Sequence, residues 1–251
     1  MKKKIKKIIK DIYYLLFKGY HIVPDYYGRA AGKQVDLKKI KGFSELANKV
    51  IKDDTTCLYY DRLYTVFNIL NTLEKNQKLN KGYSFLEAGV YKGGTSFFIA
   101  SMLKKMGVKC NFYCVDTYEG HSEGDLKKTI NDGVHKYGMF QETSYEFVKK
   151  YLSEFENVQV IKNKIQDVSE NIIEDKYFFI HLDMDIYLPT KFGLETFSKQ
   201  VVNGGIILID DYGFKSCPGA KKAVDEFCLK NKNFVKIPLM TGQCILIKVE
   251  K

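Results

Sequence analysis

The chain has 251 residues, is 45% apolar and 28% charged, and carries a formal net charge of +10. These proportions describe a soluble globular protein large enough to bury a full α/β core with an extra segment, and no apolar run approaches the length of a bilayer span. Six lysines and no acid fall in the first ten residues, leaving 34 basic against 30 acidic residues elsewhere, so the basicity is an N-terminal feature and argues against a nucleic-acid partner. Cys57, Cys110, Cys114, Cys217, Cys228 and Cys244 are scattered without a Cys-x-x-Cys pair, the pattern of reduced thiols in a cytoplasmic protein rather than a disulfide framework.

In chain order, residues 1–18 read as a lysine-rich amphipathic helix with Ile5, Ile8, Ile9, Ile12, Leu15 and Leu16 on one face. That stripe docks on the body or on a second subunit, or lies on a membrane surface. Pro24 to Gly32 is loop-like, residues 33–52 are short and mixed, and a boundary at 52/53 separates this extension from the main domain. Asp53-Asp54-Thr55-Thr56 resembles an N-cap cluster for a helix carrying Leu58, Leu63, Val66, Phe67, Leu70 and Leu73.

From there a βα rhythm begins. Strands are expected at Tyr83–Val90, Cys110–Val115, Val158–Lys162, Tyr177–Leu182 and Ile206–Ile209, with helices at Thr95–Met106, Ser144–Phe155, Val168–Ile173, Thr190–Val201 and Pro218–Lys230. Phe234–Pro238 and Gln243–Val249 close the chain as a hairpin. The alternation predicts a doubly wound, mostly parallel α/β sheet. Residues 119–140 form a long glycine-rich, charged loop, and such loops are usually functional or mobile.

Two apolar runs end in carboxylates: Phe178 to Leu182 in Asp183-Met184-Asp185, and Ile206 to Ile209 in Asp210-Asp211. Ligands of open α/β sheets sit at the carboxyl ends of strands, so both ends aim acids at one crevice. Crowded carboxylates repel, and a hard divalent ion such as Mg²⁺ resolves the conflict. The alternative is that these acids cap helices or pair with lysines. The turn Glu87-Ala88-Gly89-Val90-Tyr91-Lys92-Gly93-Gly94-Thr95-Ser96 is neither a Gly-x-Gly-x-x-Gly fingerprint nor a P-loop. Its leading acid disfavours a pyrophosphate and favours a cationic or zwitterionic ligand. Asp116 ends the next strand, where a carboxylate accepts hydrogen bonds from a ribose. A nucleoside bearing a sulfonium and an amino acid, S-adenosylmethionine, suits both.

These stretches, with Asp116-Thr117-Tyr118-Glu119-Gly120, Leu182 to Tyr187, Asp210-Asp211-Tyr212-Gly213 and Pro218 to Asp225, resemble in order the macrocin O-methyltransferase (TylF) family of class I S-adenosylmethionine-dependent enzymes. The resemblance covers roughly residues 53–248 and makes 53–251 a methyltransferase domain. It implies a seven-stranded Rossmann-like sheet with an antiparallel last strand, and Mg²⁺-dependent methyl transfer to a hydroxyl, commonly on a sugar. It also implies a homo-oligomer. Met184 stands where the family usually has glycine, and Leu188-Pro189-Thr190 where it has a small acidic-polar stretch, so acceptor identity does not carry over.

By that resemblance Asp183, Asp210 and Asp211 are metal ligands, and Asp183, then Asp185, is the base. Successive residues of a strand face opposite ways in alternation, so the strand end must bend if both aspartates serve. Gly89, Gly93 and Thr95, with Glu87, Tyr91 and Ser96 on the same turn, hold the methionine part. Asp116 holds the ribose and Thr117 and Tyr118 flank the adenosine, while Asn163 to Asp167 resembles the adenine-edge segment of related catechol-type enzymes, which puts Ile165 and Gln166 at the adenine, or is a plain loop. His181 reads as a core histidine, and Thr55 and Thr56 as caps or as residues that close over the donor. His121 and His135 either contact the acceptor or serve the loop, and Tyr187 and Tyr212 line the acceptor pocket or pack. Methylation of another acceptor, nucleic acid or a small aromatic, and a non-catalytic donor-binding or membrane-peripheral module are the competing functions.

Overall fold

The computed structural model describes residues 26–27, 35–75, 82–126 and 131–249. The lysine-rich helix expected at 1–18, and the membrane or subunit contact attached to it, lies outside these residues. Seven strands form the sheet: β1 (Ser84–Ala88), β2 (Phe112–Asp116), β3 (Val158–Lys162), β4 (Tyr177–Leu182), β5 (Val201–Ile209), β6 (Phe234–Pro238) and β7 (Cys244–Lys248). Their order is β3-β2-β1-β4-β5-β7-β6. The pairings among β1 to β5 are parallel, and β7 runs antiparallel to both β5 and β6. The expected fold class is thus the observed one, and the terminal hairpin supplies the antiparallel strand.

Residues of β1 and β4 are buried throughout because helices cover both faces, which is why these strands read as unbroken apolar runs. Phe85, Phe179 and Leu208 pack on one face with α1 (Ser44–Lys52), α2 (Tyr60–Lys75), α3 (Gly94–Met106) and α4 (Tyr145–Tyr151). Leu86, Ile180 and Ile207 pack on the other with α5 (Glu170–Glu174), α6 (Tyr187–Phe197) and α7 (Pro218–Lys230).

Three local expectations change. Residues 33–52 include a regular helix, α1, whose Ala47 and Val50 are buried in the same core as α2 and α3. Asp53 ends α1, its N–H donating to Lys49 and Ile51 carbonyls, and α2 begins only at Tyr60, so the Asp53–Thr56 cluster is not the start of α2. The helix expected at Thr190–Val201 starts at Tyr187, with Pro189 in the first turn where its missing N–H costs nothing, and ends at Phe197. Val201 already belongs to β5, opposite Tyr177, and the register slips between Tyr177 and Phe179. Gly204 and Gly205 interrupt the apolar pattern there, which hides the first half of the strand in the sequence.

Candidate active site

The carboxyl ends of β1, β2, β4 and β5 open into one cavity of about 400 Å³. Volume and position match a small-molecule site on an open α/β sheet.

The turn after β1 is shaped by close approach. Gly89 has φ +88°, and a Cβ there would stand 1.7 Å from the Asp183 carbonyl oxygen, so only glycine lets the turn cross the end of β4. Asp116 fixes the turn from the side: one carboxylate oxygen accepts the Val90 and Tyr91 N–H groups at 2.7 and 2.8 Å, and the other accepts Tyr118 N–H at 2.7 Å. Burial raises the Asp116 pKa above its ordinary value, and these three donors pull it back only in part.

Glu87 points away from the cavity. It is fully buried, accepts a hydrogen bond from the Ser96 hydroxyl, and meets His181 Nδ1 at 3.0 Å. His181 Nε2 lies 3.8 Å from Asp210, so the imidazole is held between two carboxylates. Burial pushes its pKa down, but Asp210 and Glu87 outweigh burial and raise it to about 10. Because the folded value lies above the unfolded value near 6.5, the stabilisation is complete below about pH 6.5 and is lost as pH rises through about 10. We expect ring-carbon and ring-nitrogen NMR shifts to show His181 still doubly protonated at about pH 8, above the ordinary histidine value. A neutral ring there would contradict the bridge.

Four aspartates gather at the ends of β4 and β5. Asp210 is fully buried and paired with the Arg62 guanidinium, and Gln243 Nε2 donates to its other oxygen at 2.8 Å. Burial alone would raise the Asp210 pKa, but Arg62 and His181 hold it down at about 2. Asp211 has no such partner: burial and the neighbouring Asp210 raise its carboxyl to about 7. Asp183 is pushed well above the carboxylate range by burial and by Asp210 and Asp211, and Asp185 by burial and by Asp211. Among the described residues Asp183 and Asp211 form no ion pair, so the wall carries crowded hard oxygen donors without a direct cationic partner. That donor set fits a divalent cation of the Mg²⁺ kind. The expected trio is divided, however: ligand atoms within 4.8 Å of one another group Asp183 and Asp210 with His181, and Asp211 with Asp185 and Cys217. The strand end does bend. Asp185 adopts the left-handed conformation at φ +61°, and its N–H donates to Asp211 at 3.0 Å.

Opposite these acids stands the long loop. Asp132 accepts the Tyr187 N–H at the start of α6 at 2.8 Å and so ties the loop to the body. This brings His135 to 3.3 Å from Cys217 Sγ and 3.0 Å from His121 Nε2, with Phe140 packed against both imidazoles. Burial lowers the pKa of both histidines, that of His121 to about 4 with help from His135. The floor toward residues 163–167 is closed by Lys164 on Ser122 and Asp125 and by Gln166 on Asp125, at 2.8–3.1 Å.

Of the residues singled out from the sequence, Gly89, Tyr91, Thr95, Asp116, Thr117, Ile165, Gln166, Asp183, Asp185 and Asp211 line the cavity, while Glu87, Gly93, Ser96 and Asp210 stand behind its wall. Thr56 also faces the cavity, bonded to Thr95 at 2.9 Å, whereas Thr55 turns back to the Val50 carbonyl. Arg62, Gln243 and Asp132 went unremarked in the sequence, and Cys217 read only as one of six scattered thiols. A lone arginine on an amphipathic helix carries no local signal of a partner 148 residues away.

Sheet order, the antiparallel last strand and a cavity bounded by the acid after β2 and the carboxylates after β4 and β5 define the Rossmann-like methyltransferase class. The chain belongs to the macrocin O-methyltransferase (TylF) family, whose model matches residues 61–241. An 8-demethyl-8-(2,3-dimethoxy-alpha-L-rhamnosyl)-tetracenomycin-C 4'-O-methyltransferase of Streptomyces olivaceus is 24% identical over 143 residues, 54% of this chain and 55% of that protein. The chain thus spans about half the length of this curated relative. Among solved structures, the O-methyltransferase NovP superposes with a TM-score of 0.68 at 20% identity, covering 78% of this chain and 83% of that one. The calicheamicin methyltransferase CalS11 does so with 0.57 at 17%, covering 87% and 99%. At these identities the likeness is one of fold.

Proposed function

We propose that this chain transfers the methyl group of S-adenosylmethionine to a hydroxyl of a sugar or a sugar-bearing small molecule. The observation that carries the reading is that Asp183 and Asp211, without ion-pair partners among the described residues, face the same cavity as Asp116 and the glycine turn. Two relatives favour a sugar acceptor: CalS11 is described as a TDP-rhamnose 3'-O-methyltransferase, and the Streptomyces protein acts at a 4' oxygen of a rhamnosyl compound.

In this reading Asp116 accepts the ribose hydroxyls while keeping the turn closed. Gly89, Tyr91 and Thr95 border the methionine part, and Ile165 and Gln166 the adenine. Glu87, Gly93, Ser96 and His181 set the turn from behind. An alcohol is a weak nucleophile at neutral pH, so a base must take its proton as the carbon–oxygen bond forms. Asp183 is that base: it faces the cavity from the end of β4, where its carboxylate can take the hydroxyl proton as the bond forms. Asp183 and Asp211 from the cavity wall, with Asp210 behind them once it yields an oxygen from Arg62 or Gln243, would hold a divalent cation, which when bound lowers the pKa of a coordinated hydroxyl. The methyl leaves sulfur in line with the incoming oxygen, and much of the rate comes from holding the two atoms at near-attack distance. The products are a methyl ether, S-adenosylhomocysteine and a proton on Asp183 that passes to solvent.

Incubation with methyl-labelled donor and a panel of nucleotide sugars, glycosides and catechols, with Mg²⁺ present or chelated, tests this. Label is expected in a sugar-bearing acceptor, and chelation is expected to suppress it. Label in catechols alone, or equal transfer under chelation, would contradict the acceptor class or the metal, respectively.

A further inference from the structure

The acceptor end of the cavity holds donor atoms that methyl transfer leaves unused. His135 Nε2 lies 3.3 Å from Cys217 Sγ and 3.8 Å from Asp185 Oδ1, and Cys217 Sγ lies 3.7 Å from the same Asp185 oxygen. A tetrahedral ion with nitrogen, oxygen and sulfur ligands at about 2.0–2.3 Å spaces them roughly 3.4–3.6 Å apart along each edge. The three separations lie within a few tenths of an ångström of that figure, so these atoms outline one face of such a tetrahedron.

The surroundings prepare the same three atoms. Asp185 is held in its left-handed backbone conformation with its N–H on Asp211, which fixes where its carboxylate stands. Asp132 anchors the segment carrying His135 to the start of α6. His121 Nε2 is 3.0 Å from His135 Nδ1. When that nitrogen accepts the Nδ1 proton, the His135 lone pair lies on Nε2, facing Cys217 and Asp185. A ligating histidine is commonly oriented in this way through its second nitrogen. All three donors line the cavity, so a fourth position is open to water or a ligand.

We propose that His135, Cys217 and Asp185 form a binding site for a borderline divalent transition-metal ion of the Zn²⁺ class, with His121 as its positioning residue. An imidazole, a sulfur and one carboxylate select such an ion over Mg²⁺, whereas Asp183, Asp210 and Asp211 offer oxygen alone. Binding forms metal–nitrogen, metal–oxygen and metal–sulfur bonds and releases the Cys217 thiol proton to solvent. The site does not depend on the methyl-transfer reading, and it reserves Asp185 from the role of base.

Co²⁺ serves as the probe, titrated into the full chain without donor. Wild type is expected to develop a thiolate-to-cobalt charge-transfer band that saturates at one ion per chain, to release a proton as it forms, and to lose the band to Zn²⁺ but not to excess Mg²⁺. Cys217→Ser is expected to abolish the band. His121→Ala should keep it while weakening Co²⁺ by about ten- to a hundredfold, the usual cost of losing a ligand's orienting partner. His135→Gln gives a second reading should Cys217→Ser not fold. No band in folded wild type, a band that survives Cys217→Ser, or displacement by Mg²⁺ would each overturn the proposal, the first leaving the cluster as hydrogen bonding alone.

Discussion

Replacing Asp183 by asparagine is expected to lower turnover by about 10²–10⁴-fold, the usual contribution of a positioned general base, while donor affinity stays near wild type. The side chain stands at the end of β4, and its backbone N–H continues the pairing to the Ala88 carbonyl at 2.9 Å, so an isosteric change leaves the strand intact. Burial first, and then repulsion from Asp210 and Asp211, push its pKa up. Removing that charge relieves repulsion, so the variant is expected to melt no lower than wild type. Inactivity with undiminished stability is the signature of a functional acid held at a cost to the fold. Turnover per bound donor that remains normal, with donor affinity lost, would place Asp183 on the donor side instead.

The largest stability effect is expected from Arg62→Ala. Arg62 supplies the cation for Asp210, whose side chain is wholly buried while that of Arg62 is 15% exposed. It also donates to the Cys57 carbonyl and lies over the Phe214 ring at 5.3 Å. Its removal leaves Asp210 with Gln243 and the nearby His181, beside three further aspartates. Breaking one partner of a buried pair costs about 3–5 kcal/mol, and partial exposure of Arg62 points to the lower end. For a chain of this size that lowers the melting temperature by on the order of 10 °C. Arg62→Lys is expected to recover part of the loss, because an ammonium restores the charge but not the planar fork that serves both Asp210 and the Cys57 carbonyl. An unchanged melting curve for Arg62→Ala would show that Gln243 and His181 suffice for Asp210.

The sheet was legible because its signals are local: apolar runs for β1, β4 and β5, and Gly107 past the end of α3. The carboxylates were legible for the same reason, since each sits at the end of its own run. What escaped was created by distance along the chain. Glu87 begins the glycine turn and reads as a ligand-facing acid, yet His181, 94 residues on, turns it into a buried bridge. Arg62 meets Asp210 across 148 residues and His135 meets Cys217 across 82. The helix α1 escaped although Phe43, Leu46, Ala47, Val50 and Ile51 recur at helical spacing, because nine residues make a short window inside a mixed segment. The loop at 119–140 announced itself only by composition, and its chemistry arises from Asp132 docking on α6.

Methyl transfer by this chain requires that the cavity take S-adenosylmethionine. Calorimetric titration of the donor into wild type and Asp116→Ala tests it without any knowledge of the acceptor. One donor per chain is predicted, displaced by S-adenosylhomocysteine, with binding weakened at least about tenfold, or about 1.4 kcal/mol, in the variant, which loses both the ribose acceptor and the anchor of Val90, Tyr91 and Tyr118. A folded wild type that takes up no donor, with or without Mg²⁺, would rule out methyl transfer from S-adenosylmethionine by this chain.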